Sequence, residues 1–170
     1  MKVSLRPTTP ADLPFVLATE SDPAVSRWIN AWPAERHSEA ICRQNEAHLT
    51  VIAENSPVGF VLLAGLESPD RIIELRRIAI TARGRGIGSI ALAQTLELAF
   101  TDFAARRVWL DVLPGNTRAR AVYERYGLAE DGLIPEGHPS PDGWLQLLVM
   151  SIRREDWEVR ETPWQEPPAG

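Results

Sequence analysis

The sequence predicts a mixed α/β (α+β) fold: a mostly antiparallel sheet with a central parallel strand pair and flanking helices. Three observations carry that reading. Short strand patterns recur between turns, one long helix pattern runs over residues 86–103, and a strand precedes and follows that helix, which makes a parallel crossover. The 170 residues, 44% hydrophobic and 24% charged, suit one domain with a single sizeable core.

Residues 3–6 form the first strand. Pro10 and Asp12 open a short helix through Leu13, Phe15, Val16 and Leu17, and Asp22-Pro23 opens a second. In that second helix Val25, Trp28, Ile29 and Trp32 share a helical spacing until Pro33 ends it. A third, polar helix is predicted over 35–46. Strands over 48–54 and 58–66 flank a turn at Asn55-Ser56-Pro57 and read as a hairpin; a strand over 72–80 follows the Ser68-Pro69-Asp70 turn. The long helix is apolar on more than one side (Ile87, Ile90, Leu92, Leu96, Leu98, Phe100, Phe103), as packing against a sheet requires. Residues 107–113 alternate, Val108, Leu110 and Val112 on one face and Trp109, Asp111 and Leu113 on the other. Pro114-Gly115-Asn116 breaks that strand, Asn116 is placed to cap a helix over 117–126, and Gly127 stands where such a helix stops. Two closing strands, 128–134 and 144–152, are joined by a Pro- and Gly-rich loop, 135–143, expected to be mobile. One domain thus spans 1–157. Residues 158–170 read as an extended C-terminal tail, whose Trp164 could dock on this domain or on a neighbour.

Composition removes several classes of function. Cys42 is the single cysteine, so no internal disulfide or zinc cluster is expected, and a reducing, cytoplasmic setting is. Neither a signal peptide nor an apolar span of ~20 residues is evident. His37, His48 and His138 lack metal-ligand spacing and are expected to be structural or solvated; no metal is expected. Seventeen of the eighteen basic residues are arginine, and a lone Lys2 sets aside P-loop and Schiff-base chemistry. The net charge of −5 is uneven, because residues 71–126 carry ten arginines against five acids. A basic middle in an acidic chain predicts a small anionic ligand rather than nucleic acid.

The anion site falls at Arg83-Gly84-Arg85-Gly86-Ile87-Gly88-Ser89, between a strand and the long helix. Amides in the first helical turn lack partners and point at a ligand, and the helix dipole favours negative charge there. Arg83 and Arg85 can add charge-assisted bonds to phosphate oxygens. A plain tight turn with solvated arginines is the bland alternative. A rival is a dinucleotide fingerprint through Gly86, Gly88 and Ala91 with Asp111, but the chain holds too few parallel crossovers for a doubly wound sheet.

These residues resemble the GNAT superfamily of acetyl-CoA-dependent N-acetyltransferases. Arg83 to Gly88 matches its [QR]-x-x-G-x-[GA] pyrophosphate loop, and Asn116, Ala119, Tyr123 and Gly127 match the N-x-x-A-x-x-x-Y-x-x-x-G pattern of its second cofactor helix. Flanking residues, Leu5-Arg6-Pro7 with Asp12 and Val149-Met150-Ser151 with Trp157, are similar to the subgroup that acetylates ribosomal-protein N-termini; Leu128 departs from the phenylalanine common after the glycine.

The resemblance implies that strands 72–80 and 107–113 splay apart and that the pantetheine arm lies between them. Ile78, Ala79 and Ile80 would then offer backbone contacts, Arg83, Gly84, Arg85, Gly86, Ile87, Gly88 and Ser89 would hold the pyrophosphate, and Asn116 and Ala119 would border the arm. An acetyl group would pass to a primary amine, a protein N-terminus or a small amine, by direct attack. Glu74 would be a general base acting through water, or a strand glutamate paired with Arg76 or Arg77. A backbone N–H near Ala79 would polarise the carbonyl. Tyr123 would be the general acid for the CoA thiolate, or a packed helix tyrosine. Trp28, Trp32 and Trp144 lie in segments that would flank the acceptor. A catalytically silent acyl-CoA-binding module is the alternative, and a homodimer stays open.

Overall fold

A computed structural model describes residues 1–160. The chain runs through β1 (Val3–Pro7), a 3-10 turn (Pro10–Asp12), α1 (Leu13–Ser21), α2 (Pro23–Ser26), α3 (Ala34–Cys42), β2 (Glu46–Ala53), β3 (Ser56–Ala64) and β4 (Ile72–Ile80). It continues through α4 (Ile87–Thr101), β5 (Arg107–Val112), α5 (Thr117–Arg125), β6 (Ala129–Ser140), β7 (Gly143–Arg153) and α6 (Arg154–Val159). The tail expected over 158–170, with Trp164, falls mostly outside the described residues.

The strands form one seven-stranded sheet in the order β1-β2-β3-β4-β5-β7-β6. Every neighbouring pair is antiparallel except β4–β5. That mixed sheet with one central parallel pair is the predicted class. The main core lies between the sheet and α4, where Ala91, Leu92, Leu96, Ala99 and Phe100 meet Val61, Leu63, Ile73 and Leu110. A smaller core on the opposite face joins Val16 and Val25 of α1 and α2 to Phe60 and Ala79. No helix among the described residues is long and apolar enough to cross a membrane.

The flanking sequence features have structural roles. Arg6 grips Asp12 through two hydrogen bonds of 2.7 and 2.8 Å, and Asp12 also accepts from the Thr9 amide, so β1 is tied to the helical turn that follows it. The guanidinium holds the Asp12 carboxyl far below the usual carboxylate range. Trp157 stacks on Phe100 at 5.0 Å and docks α6 on α4. Cys42 is exposed at the end of α3.

Three expectations need correction. The third helix stops at Cys42, and Glu46 instead begins β2, where it is buried between Arg36 (2.5 Å) and Arg76 (2.9 Å). The helix expected through Trp32 is a single turn, Pro23–Ser26; beyond it the Trp28 and Ile29 amides both donate to the Val25 carbonyl, and Ile29 packs against the smaller core. The loop expected over 135–143 is mostly strand: β6 continues to Ser140, absorbing its proline and glycine in an irregularity between Ile134 and His138.

A buried polar chain fastens the N-terminal helices to the sheet. Glu20 of α1 faces His37 of α3 at 3.0 Å, His37 Nδ1 lies 3.1 Å from His48 Nε2 of β2, and His48 Nδ1 lies 2.9 Å from Thr8 Oγ1, itself 2.8 Å from Thr50 Oγ1. All five residues are buried. The carboxylate sets the direction of the proton donors. With the His37 hydrogen assigned to Nε2, facing the carboxylate, Nδ1 accepts from His48 Nε2–H, His48 Nδ1 accepts from Thr8, and Thr8 from Thr50. Burial, with the neighbouring His37, brings the His48 pKa down to about 4.

Two outcomes follow for stability. Replacing Gly59 with alanine would put a Cβ 2.2 Å from the Ala79 carbonyl oxygen, so Gly59→Ala is expected to lose about 1–3 kcal/mol in urea unfolding. As the pH falls from 6.5 towards 4, the unfolded chain takes up a proton on His48 that the folded chain resists, so stability declines across that window. His48→Gln is expected to flatten this limb in unfolding curves recorded between pH 4 and 7.

Candidate functional site

The site begins where β4 and β5 part. They pair over three positions only, Ile72↔Arg107, Ile73↔Val108 and Glu74↔Trp109. On its other edge β4 slips against β3, with Leu62 opposite Arg77 and Leu63 opposite Leu75, which leaves Arg76 as an extra, bulged residue. Beyond the bulge β4 has no pairing with β5, and the two strands wall a cleft of about 430 Å³. Ile78, Ala79 and Ile80 line one side, Leu110, Asp111 and Val112 the other. Backbone edges without a strand partner are ready to pair with an extended ligand.

A second cavity of about 320 Å³ lies between the glycine loop and α5. Gly84 and Gly86 have φ of +75° and +71°, a left-handed conformation that costs a residue with a Cβ roughly 1–2 kcal/mol. Gly86 is also the N-cap of the 15-residue α4 and supplies no side-chain cap; the Ser89 amide donates to the Gly86 carbonyl at 3.1 Å, and the amides ahead of it are the ones a ligand can take. Gly84, Gly86, Ile87, Gly88 and Ser89 all line this cavity. Arg83 lines both cavities, although its guanidinium donates to the Ala24 carbonyl. Arg85 lines neither and pairs with exposed Glu54 at 3.3 Å. Arg27 and Arg118, which the sequence did not single out, supply further cations here. Their only sequence signal was membership of an arginine-rich chain.

The cavities meet. Trp28, Ile78, Ile80, Arg83, Asn116, Ala119 and Tyr123 border both, so one groove runs from the helix N-terminus to the strand cleft. Asn116 caps α5, its side-chain oxygen accepting from the Ala119 amide at 3.3 Å. Tyr123 is buried, and its pKa is pushed up to about 12, first by burial and then by the charge of Asp111. Glu74 lines the cleft and accepts two hydrogen bonds from Arg76, at 3.0 and 2.7 Å. Asp111, exposed on the open side of β5, lines the cleft too; partial desolvation there and the Glu74 charge raise its carboxyl. Asp111 was not among the expected catalytic residues. The alternation of β5 had placed it opposite the core face, but only the splay shows that this face borders a cleft. His138 and Pro139 of β6 complete the wall. Trp28 and Trp32 border the cleft, whereas Trp144 is exposed outside it. Trp32 is already engaged by Arg77 and Arg36, 4.0 and 4.3 Å from its ring centroid.

Residues 2–129 match the acetyltransferase (GNAT) domain family. The chain is 28% identical over 109 residues to a Bacillus subtilis protein described as "Putative ribosomal N-acetyltransferase YdaF", covering 64% of this chain and 60% of that one. It is 25% identical over 156 residues to the uncharacterized protein ML0378 of Mycobacterium leprae, covering 84% of this chain and 42% of that one. The chain therefore spans less than two thirds of either curated relative. Its fold is similar to that of the spermidine N-acetyltransferase SpeG of Vibrio cholerae. One structure, a chimera with hSSAT, has TM-score 0.84 and 22% identity, covering 94% and 100% of the two chains. Another, solved with CoA and spermine, has TM-score 0.82 and 20% identity over 92% and 98%. The splayed strands, the uncapped glycine-loop helix and the match over three quarters of the sequence agree, and the chain belongs to the GNAT acetyltransferase family.

Proposed function

We propose that this protein is an N-acetyltransferase that moves the acetyl group of acetyl-CoA, the cosubstrate of its family, to a primary amine of a protein N-terminus or a small molecule. One observation carries the reading: a single groove joins an uncapped helix N-terminus to a pair of carboxylates, with a protonated tyrosine at the junction. The first-turn amides of α4 with Arg83, Arg27 and Arg118 suit the phosphates, and the free edges of β4 and β5 suit an arm bearing amides.

The acceptor arrives as an ammonium and must lose a proton before it can attack. Glu74 and Asp111 attract it, and Asp111, whose carboxyl is raised by desolvation and by the Glu74 charge and which has no arginine paired to it, takes the proton. The amine lone pair then forms the C–N bond as the C–S bond breaks and CoA leaves as thiolate. A phenol near 12 gives its proton to a thiolate near 8.5 only uphill, so Tyr123 begins as a hydrogen-bond donor that stabilises the leaving sulfur. Protonation of Asp111 removes one of the two causes that raise the phenol and so eases the transfer. An amide near Ala79 would polarise the thioester carbonyl. The pairing of Glu74 with Arg76 supports an electrostatic role for it beside Asp111.

Free-thiol release measured with acetyl-CoA and a panel including spermidine and an alanine-initiated peptide is expected to be amine-dependent for at least one acceptor. CoA binding without release for any amine would leave an acyl-CoA-binding module instead. In the active enzyme Tyr123→Phe is expected to lower kcat at least tenfold while CoA affinity stays within twofold; unchanged kcat removes Tyr123 from the chemistry.

A further inference from the structure

Glu20 lies outside the cleft, only 1% exposed, yet both of its oxygens are committed to groups that build the cleft wall. Oε1 accepts from Arg77 Nη1 at 2.6 Å, and Oε2 accepts from the Trp32 amide at 2.8 Å. His37 Nε2 stands 3.0 Å from Oε2, off the ideal donor line. Arg77 also donates to the Asn30 carbonyl at 2.8 Å and lies under the Trp32 ring. Arg77, Trp32 and Asn30 all border the cleft that holds Glu74 and Asp111.

Arg77 is a hazard at that position. It is a fixed cation on the strand that carries Glu74, and Asp111 feels its charge. An unrestrained guanidinium so placed would pair with the carboxylates that must receive the ammonium. Its counter-charge is instead Glu20, at 2.6 Å, which does not line the cleft.

On the reading that Glu74 and Asp111 receive the amine, we propose that Glu20 is a positioning residue for the acceptor. It sequesters Arg77 and thereby keeps the acceptor carboxylates open. His37 and His48 stand behind it. His37 packs against the Glu20 carboxylate at 3.0 Å, and His48 and Thr8 buttress the His37 ring from behind, so they limit the room in which that carboxylate could turn away from Arg77.

The test uses the full chain and whichever of spermidine or the alanine-initiated peptide is the better acceptor. Glu20→Gln is expected to raise the amine KM about tenfold, with the acetyl-CoA KM within twofold. It should also move the acidic limb of the kcat/KM profile to lower pH, because Asp111 now pairs with Arg77. A purely structural role would lower the active fraction and leave the amine KM and the pH profile unmoved. On an Arg77→Gln background the same change is expected to have no further effect on the amine KM, because the competing cation is gone. An amine KM within twofold of wild type in Glu20→Gln, or additive effects in the cycle, overturns the proposal. Should Glu20→Gln not be recovered folded, His37→Gln replaces it in the cycle. A two- to fivefold rise in amine KM that vanishes with Arg77→Gln is then expected, and no rise or additivity overturns it. Wild-type enzyme inert towards every amine removes the acceptor reading and this inference together; active wild type with unaltered variants removes this inference alone.

Discussion

The bulge at Arg76 is the constraint on which the rest of the site depends. An extra residue in one strand bends it and increases its twist, and here it falls two residues after the last β4–β5 pair. It therefore ends the only parallel pairing in the sheet and opens the cleft. It also reverses which side chains face which layer. Before it Ile73 and Leu75 pack on the α4 side; after it Ile78 and Ile80 do, and Ala79 joins the core beneath α1 and α2. The same reversal brings Arg77 to Glu20 rather than into the apolar layer under α4.

Charge in the protein is arranged around that opening. At the glycine-loop end the positive charge is partly backbone, supplied by the first turn of α4, with Arg83 before α4, Arg27 after α2 and Arg118 of α5 around it. At the other end two carboxylates face each other close to three arginines, and each arginine has its own partner: Arg76 on Glu74 and Glu46, Arg77 on Glu20, Arg83 on a carbonyl of α2. Asp111 alone among these carboxylates is left without an arginine, and its carboxyl is raised rather than lowered. That asymmetry gives the cleft one group suited to take up a proton. A buried carboxylate such as Glu20 is costly unless paired, and its three neighbours, with the histidine chain behind, meet that cost.

Much of this was legible before any coordinates. The β4 boundaries, the long helix, the α5 cap at Asn116 and the glycine loop follow from local rules of periodicity, capping and backbone freedom. The loop and helix motifs sufficed to suggest the family. Other features were not local. Glu46, read from its polar neighbours as the end of a helix, opens β2 opposite Ala64 of β3, where Arg36 and Arg76 pair with its buried carboxylate. The extension of β6 to Ser140 depends on β7 offering a partner, which outweighs proline and glycine. Of the loop arginines, Arg83 and Arg85 look alike in sequence, but one borders the groove and the other turns away to Glu54.

By itself, then, the amino-acid sequence determined most of the strands, the long helix, the glycine turn before it and the helix carrying Asn116 and Tyr123, because each depends on interactions within a few residues along the chain. Even the bulge left a trace, two consecutive arginines interrupting the alternation of β4. Tertiary structure alone decided that Asp111 faces Glu74 across a cleft, that Tyr123 is buried within reach of Asp111's charge, and that Glu20 holds Arg77 from 57 residues away. The reason is physical. Electrostatic coupling and desolvation depend on distance through space and on exclusion of water, and neither is set until strands and helices remote in sequence have packed together.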